Sequence, residues 1–189
     1  SGADTLYGYG QGDTMHGHDG DDTLDGGEGG DFIHGGHGDD IIIGGNGNDE
    51  IWGGQGTDTL SFAAVSAAIT ANLVTGTATG EGTDTFQGIE NVTGGSGADS
   101  ITGDVGDNVL SGNAGNDTLD GGDGNDTLDG GDGTDTVSYA GDSDQVMIDL
   151  TNNLARQEWN GTTGTTLDTL ISIENATGSC CGRGNSQCR

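Results

Sequence analysis

From Ser1 to Ser61 a large aliphatic residue returns at every ninth position, as Leu6, Met15, Leu24, Ile33, Ile42, Ile51 and Leu60, and the same spacing resumes from Gly94 to Ser138. An amphipathic helix needs an apolar residue every three or four positions, so one per phrase with polar residues on both sides is the period-two signature of a very short strand. Glycine, asparagine and aspartate fill the intervals, and they read as tight turns. In the best copies, Gly26 to His34 (GGEGGDFIH), Gly35 to Ile43 (GGHGDDIII), Gly44 to Trp52 (GGNGNDEIW) and Gly53 to Ser61 (GGQGTDTLS), the phrase is GGxGxDxUx with U aliphatic. The GGxGxD half turns, because glycine accepts the positive φ that other residues resist. The xUx half sends U inward and its neighbours outward. Two phrases make one coil, and successive coils pair as parallel strands. The complete absence of proline suits a ladder in which every N–H is used. The predicted class is all-β.

The pattern breaks twice. After DTLSF (Asp58 to Phe62) and again after DTVSY (Asp135 to Tyr139), apolar residues alternate as Ile69, Ala71, Leu73 and as Val146, Ile148, Leu150. Each segment then passes a polar or glycine-rich turn and returns through DTFQGIENVTG (Asp84 to Gly94) or DTLISIENATG (Asp168 to Gly178). These duplicates predict a strand, a turn and a return strand packed beside the roll. The expected organisation is a first block at 1–61, an inserted strand segment at 62–93, a second block at 94–138, a second inserted segment at 139–178 and a tail at 179–189.

Composition explains why an oily centre is insufficient. The chain is 29% hydrophobic and 4% aromatic with 42 glycines among 189 residues, too little apolar volume for an ordinary globular core. Thirty-two acidic residues face three arginines, for a formal charge of −29. Like charges about 5 Å apart repel by about 0.8 kcal/mol per pair even in water, so without counter-ions the chain is expected to stay open. An acidic surface excludes nucleic acid and anionic lipid as direct partners. No stretch is long and apolar enough for direct membrane insertion as a helix. Ser1 falls at the third position of the phrase, so the chain is expected either to be cut from a longer protein or to stack end to end on another copy.

The aspartate of the phrase keeps strict register: Asp4, Asp13, Asp22, Asp31, Asp40, Asp49 and Asp58, then Asp99, a slip to Asn108, and Asp117, Asp126 and Asp135. Stacking by two phrases places Asp4, Asp22, Asp40 and Asp58 on one edge and Asp13, Asp31 and Asp49 on the other. Carboxylates lined up in this way call for a hard cation, and calcium takes six to eight oxygens from carboxylates and carbonyls, whereas magnesium demands tighter octahedral geometry and keeps its waters. The candidate metal residues are these aspartates, with Asp84 in the half phrase GEGTDTF, and the turn glycines Gly26, Gly35, Gly44, Gly53, Gly121 and Gly130. Asp168 follows Thr165, Thr166 and Leu167 rather than glycines and is a poorer candidate. Asn108 is expected to weaken the second block, since a neutral amide replaces the charge.

This nonapeptide resembles the calcium-binding β-roll of RTX proteins secreted by Gram-negative bacteria. The resemblance covers nearly all of residues 1 to 178. It implies a right-handed parallel β-roll, a β-helix solenoid, with the two inserted segments separating its blocks. It implies several Ca2+ ions, about six to nine, each between a loop and the loop two phrases later. It further implies export unfolded through a type I secretion channel, folding at the exit, and a secreted, extracellular or cell-surface location. The function that follows is a calcium-induced folding and structural module of an extracellular bacterial protein, without catalysis of its own. Two other readings stay open: the C-terminal export and stabilising domain of a secreted protease, lipase or epimerase, and a surface-layer, adhesin or filament subunit with end-to-end or lateral self-association. An HExxH or GxSxG segment would favour the former, and neither occurs in this sequence.

Three features lie outside the phrase. His16 and His34 occupy the same position one coil apart, with His18 and His37 in the adjoining turns; their spacing matches no established zinc or nickel motif, and they read as outward surface residues. Phe32, Ile41, Ile43 and Trp52 point outward where polar residues are expected, a candidate docking face. The tail carries Cys180, Cys181 and Cys188 and no acidic residue, so in an oxidising space one disulfide leaves one thiol over.

Overall fold

The computed structural model describes residues 1–141, 145–158 and 165–178, and no helix occurs among them. The first run forms β1 (Thr5–Tyr7), β2 (Thr14–Asp19), β3 (Thr23–Glu28), β4 (Phe32–His37), β5 (Ile41–Asn46), β6 (Glu50–Gln55) and β7 (Thr59–Ser61). The turn in each phrase sends the chain to the opposite wall, so β1, β3, β5 and β7 build one sheet while β2, β4 and β6 build a second. Every pair within these walls is parallel, with Leu6 opposite Leu24, Ile33 opposite Ile51 and Ile42 opposite Leu60.

Each strand buries its central residue. Leu24, Ile33, Ile42, Ile51 and Leu60 are fully buried and Met15 nearly so, while Leu6 in the outermost rung is half-buried. One such side chain contributes about 1.5–3 kcal/mol, a small return for ordering a whole phrase. The core is therefore a single file of side chains on each wall, and the turns must contribute the rest.

The first inserted segment does not pack beside the roll. Its strands, β8 (Thr70–Asn72), β9 (Thr77–Thr79) and β10 (Thr83–Gln87), are spliced into the second wall. There β10 pairs parallel with β6, and β9 runs antiparallel between β10 and β8. The edge of β6 offers unpaired N–H and C=O groups, and an in-plane strand satisfies them where a packed-on hairpin would not. The chain returns to the first wall as β11 (Asn91–Thr93) beside β7, and then to the second as β12 (Ser100–Thr102) beside β8. Ile69, Ala71 and Ala78 are buried inside this seam, with Phe62, Val65, Phe86 and Ile89 around them.

The second run continues as β13 (Val109–Ser111), β14 (Ala114–Gly115), β15 (Thr118–Asp120), β16 (Thr127–Asp129), β17 (Asp132–Gly133) and β18 (Thr136–Tyr139). Strands β14 and β17 form a small ladder between successive turns. The second seam repeats the plan of the first on the opposite wall. Its strands, β19 (Gln145–Asp149), β20 (Leu154–Glu158) and β21 (Thr165–Ile171), make an antiparallel meander, β21 docks parallel on β16, and β22 (Asn175–Gly178) returns beside β18. The change of wall follows from counting phrases, because the first run ends on β7 in one sheet and the second on β18 in the other. The tail with Cys180, Cys181 and Cys188 lies outside the described residues.

Candidate metal centres

The aspartate of each phrase sits where the turn becomes a strand, and its two carboxylate oxygens have different roles. Oδ1 accepts the backbone N–H of the aspartate one coil earlier: Asp22 from Asp4 at 2.7 Å, Asp40 from Asp22 at 2.8 Å and Asp58 from Asp40 at 2.8 Å. On the other edge Asp31 accepts from Asp13 at 2.7 Å and Asp49 from Asp31 at 2.8 Å. These bonds hold each carboxylate in one orientation.

Oδ2 is buried and has no hydrogen-bond partner in Asp13, Asp22, Asp31, Asp40, Asp49, Asp58, Asp117, Asp126 and Asp135. A buried carboxylate oxygen left unpaired is costly, so nine in register demand a counterpart. What each Oδ2 faces is set by the first glycine of the phrase. A Cβ placed on Gly35 would strike Asp40 Oδ2 and lie 2.6 Å from the carbonyl oxygen of Gly53 in the next coil. A Cβ on Gly26 would likewise strike Asp31 Oδ2 and lie 2.6 Å from Gly44 O. On Gly44, Gly53 and Gly130 it would fall 2.6 Å from Oδ2 of Asp49, Asp58 and Asp135 respectively, and on Gly121 it would strike Asp126 Oδ2. The missing side chain thus leaves a cradle walled by carboxylate and carbonyl oxygens. That donor set suits calcium. Among the described residues no three His, Cys, Asp or Glu side chains gather around one point.

Burial raises the pKa of Asp40, Asp49, Asp58, Asp84, Asp117 and Asp126, and the backbone N–H at Oδ1 only partly offsets it. Desolvation lifts Asp58, Asp84 and Asp117 to about 6 and Asp126 to about 7, with neighbouring carboxylates adding to the rise. Asp40 and Asp49 are raised for the same reason.

The remaining candidates differ in detail. Asp4 is exposed at the head of its column, and Asp13 is half-buried. Asp84 is buried, and its Oδ1 accepts Asp49 N–H at 3.1 Å, so the half phrase takes the seat of a full one. Asp99 accepts at both oxygens, from Ile69 N at 2.9 Å and Gly95 N at 2.7 Å, which sets it apart from the others. Asp117 and Asp126 accept from Asp99 and Asn108, and Asp135 from Asp117. Asn108 fills its place with the amide, which donates to Glu90 O at 2.8 Å.

Sequence reading missed two members of the columns. Glu90 Oε2 accepts Asp58 N–H and Glu174 Oε2 accepts Asp135 N–H, each at 2.8 Å. Their signal was the shared IEN of the two return segments, at the register of the missing aspartate. Asp168 also stands in a column, with Oδ1 accepting Asp126 N–H at 3.1 Å, but Tyr139 Oη donates to its Oδ2 at 2.7 Å.

Fold and site together define a parallel β-solenoid whose coils are linked at both edges through aspartate columns. The family model for the RTX calcium-binding nonapeptide repeat matches four times, at residues 1–33, 25–60, 79–119 and 111–146, and the chain belongs to this family. Repeats of this family bind Ca2+, and several copies mean several ions. They occur in secreted bacterial proteins. Comparison with curated proteins finds no match. Among solved structures the extracellular lipase LipA from Serratia marcescens is similar, with 18% identity and a TM-score of 0.30 over 92% of this chain and 37% of the lipase chain. This chain therefore spans little more than a third of that lipase.

Proposed function

We propose that this chain is a calcium-induced folding and structural module of a secreted or cell-surface bacterial protein, with no catalytic role of its own. The observation that carries the reading is the register of buried, unpartnered Oδ2 atoms, each facing a glycine cradle. Asp13, Asp22, Asp31, Asp40, Asp49, Asp58, Asp117, Asp126 and Asp135 are the carboxylate ligands, with Asp84 as a further one in the seam. Gly26, Gly35, Gly44, Gly53, Gly121 and Gly130 keep the cradles open. Asp4 at the exposed head of its column and Asp99 with both oxygens engaged contribute less. Calcium, when bound, supplies the positive charge that lets these buried carboxylates remain ionised.

The chain's own part is to pre-arrange oxygens that repel one another until the ion arrives. If only the folded coil binds, a site at ten times its dissociation constant adds about 1.4 kcal/mol, and several sites together outweigh what the thin core lacks. Extracellular modules bind calcium at about 0.1–1 mM, so the module stays open in a low-calcium cytosol and folds outside it. That asymmetry suits passage through a type I secretion channel. The blocks at 1–61 and 94–138 bind most of the ions, and the segments at 62–93, with Asp84, and 139–178 organise the ladder.

The test is a calcium titration of the full chain followed by circular dichroism, with magnesium as the control ion. A change from coil-like to β-rich with calcium is expected, reversed by a chelator. No change up to about 10 mM calcium, well above extracellular affinities, would overturn the reading.

A further inference from the structure

We propose that the outer face of the second wall carries another kind of metal site, in which His16 and His34 bind one zinc-class divalent ion. Strands β2 and β4 are parallel and in register, with His16 directly opposite His34. Opposed residues on parallel neighbours project from the same face, and the two imidazole centroids lie 5.9 Å apart. Metal–imidazole bonds of about 2.0–2.1 Å place two rings on a tetrahedral ion with their centres about 5 Å apart. Side-chain rotation alone closes the difference.

A third imidazole adjoins the pair. The His18 ring lies 6.0 Å from that of His16. His18 occupies the second position of its phrase, where the following copies carry Gly27, Gly36, Gly45 and Gly54, all at positive φ, and it adopts φ 79° there. A side chain in this conformation carries a steric cost that glycine avoids. The other non-glycine residues at positive φ in this seat have engaged side chains: Asn113 Nδ2 donates to Gly94 O at 2.6 Å, and Tyr9 stacks on Tyr7 with ring centroids 5.8 Å apart. His18 is thus held, against its backbone preference, beside the His16 imidazole. All three line one open groove with Asp19, His37 and Gln55.

No three ligating side chains among the described residues already surround one point. The site therefore starts from two imidazoles, water completes the shell, and His18 swings in as a third ligand. Imidazole suits zinc, nickel and copper, whereas calcium takes oxygen, so the two metal classes sort themselves between this face and the turn edges. A formal charge of −29 concentrates both.

The experiment titrates the calcium-saturated full chain with Ni2+ and with Zn2+ by calorimetry. One ion per chain is expected, with affinity falling at least tenfold in His16→Ala/His34→Ala and severalfold in His18→Gly. Unchanged affinity in the double variant, or displacement of the ion by excess calcium, would place the metal elsewhere and overturn the proposal. Both variants must show the parent's calcium-induced circular dichroism. In the unaltered chain, the imidazole NMR signals of His16 and His34 must shift on adding Zn2+, and unshifted signals overturn the proposal whatever the variants do.

Discussion

Tyr139 Oη donates a 2.7 Å hydrogen bond to Oδ2 of Asp168, the atom position that has no partner in nine other aspartates of the columns. Both groups are buried, and burial raises the Asp168 pKa while the tyrosine holds it back. The matching residue in the first seam is Phe62, which has no hydroxyl to offer Asp84. The two seams share a plan, and at this position they differ by the tyrosine hydroxyl. Removing that donor with Tyr139→Phe is expected to cost about 1–3 kcal/mol, the penalty for stranding a buried acceptor. Thermal unfolding in saturating calcium measures the loss. The number of calcium ions bound is expected to stay the same, because the position five before Asp168 is Thr163 and not the glycine that starts the other phrases.

Position within a column sets the weight of each aspartate. Asp40 accepts from Asp22 and donates to Asp58, whereas Asp4 is exposed and only donates. Asp40→Asn keeps the Oδ1 acceptor and removes the charge at Oδ2. It is expected to raise the calcium midpoint of folding by at least about threefold, since one interior ion's linkage is lost, while Asp4→Asn stays close to the parent. Equal midpoints in a calcium titration would contradict stacking by one coil.

A methyl group tests the cradles directly. In Gly35→Ala the new Cβ meets Asp40 Oδ2 and the Gly53 carbonyl, whereas in Gly141→Ala it meets nothing within 4 Å. Overpacking of this kind costs about 1–3 kcal/mol. Gly35→Ala is therefore expected to need more calcium to fold and to melt earlier, with Gly141→Ala as the silent control in the same melting experiment.

Acid is expected to act in opposite directions with and without the ion. In the folded chain the pKa of Asp58, Asp84 and Asp117 is about 6 and that of Asp126 about 7, above the ordinary carboxylate value of 3.8. The folded state therefore binds more protons than the unfolded one between about pH 4 and 7, and stability without calcium falls as pH rises through that window. In chelator, lowering the pH from 7.5 to 5 is expected to increase β structure. With calcium present, protons compete for the same oxygens, so the calcium midpoint is expected to rise over the same range. Circular dichroism at fixed chelator or fixed calcium reads both.

The nine-residue spacing made the core and most of the candidate seats legible from sequence alone. Leu24, Ile33 and Ile42 are buried where the spacing puts them, and Asp22, Asp31 and Asp40 stand in columns. The seams were harder. Alternation of Ile69, Ala71 and Leu73 tells which face turns inward, but not which strand lies alongside, so the in-plane meander was not readable. Glu90 and Glu174 escaped because the full GGxG turn is missing ahead of them, with Gly88 alone before Glu90, and a longer side chain reaches the same N–H. His18 was visible beside His16 and His34 in the sequence, but not that it stands at positive φ in a seat that glycine fills in the following copies.

The return of Glu90 to the place after Asp58 has a mechanical consequence. Asp58 N–H reaches Glu90, the Asn108 amide reaches the Glu90 carbonyl, and Asn108 N–H reaches Asp126, so this edge passes residues 62–93 without a break. The first seam is a splice and not a hinge. Tension applied along the stack is carried across it rung by rung, and the two runs stretch and yield as one fibre.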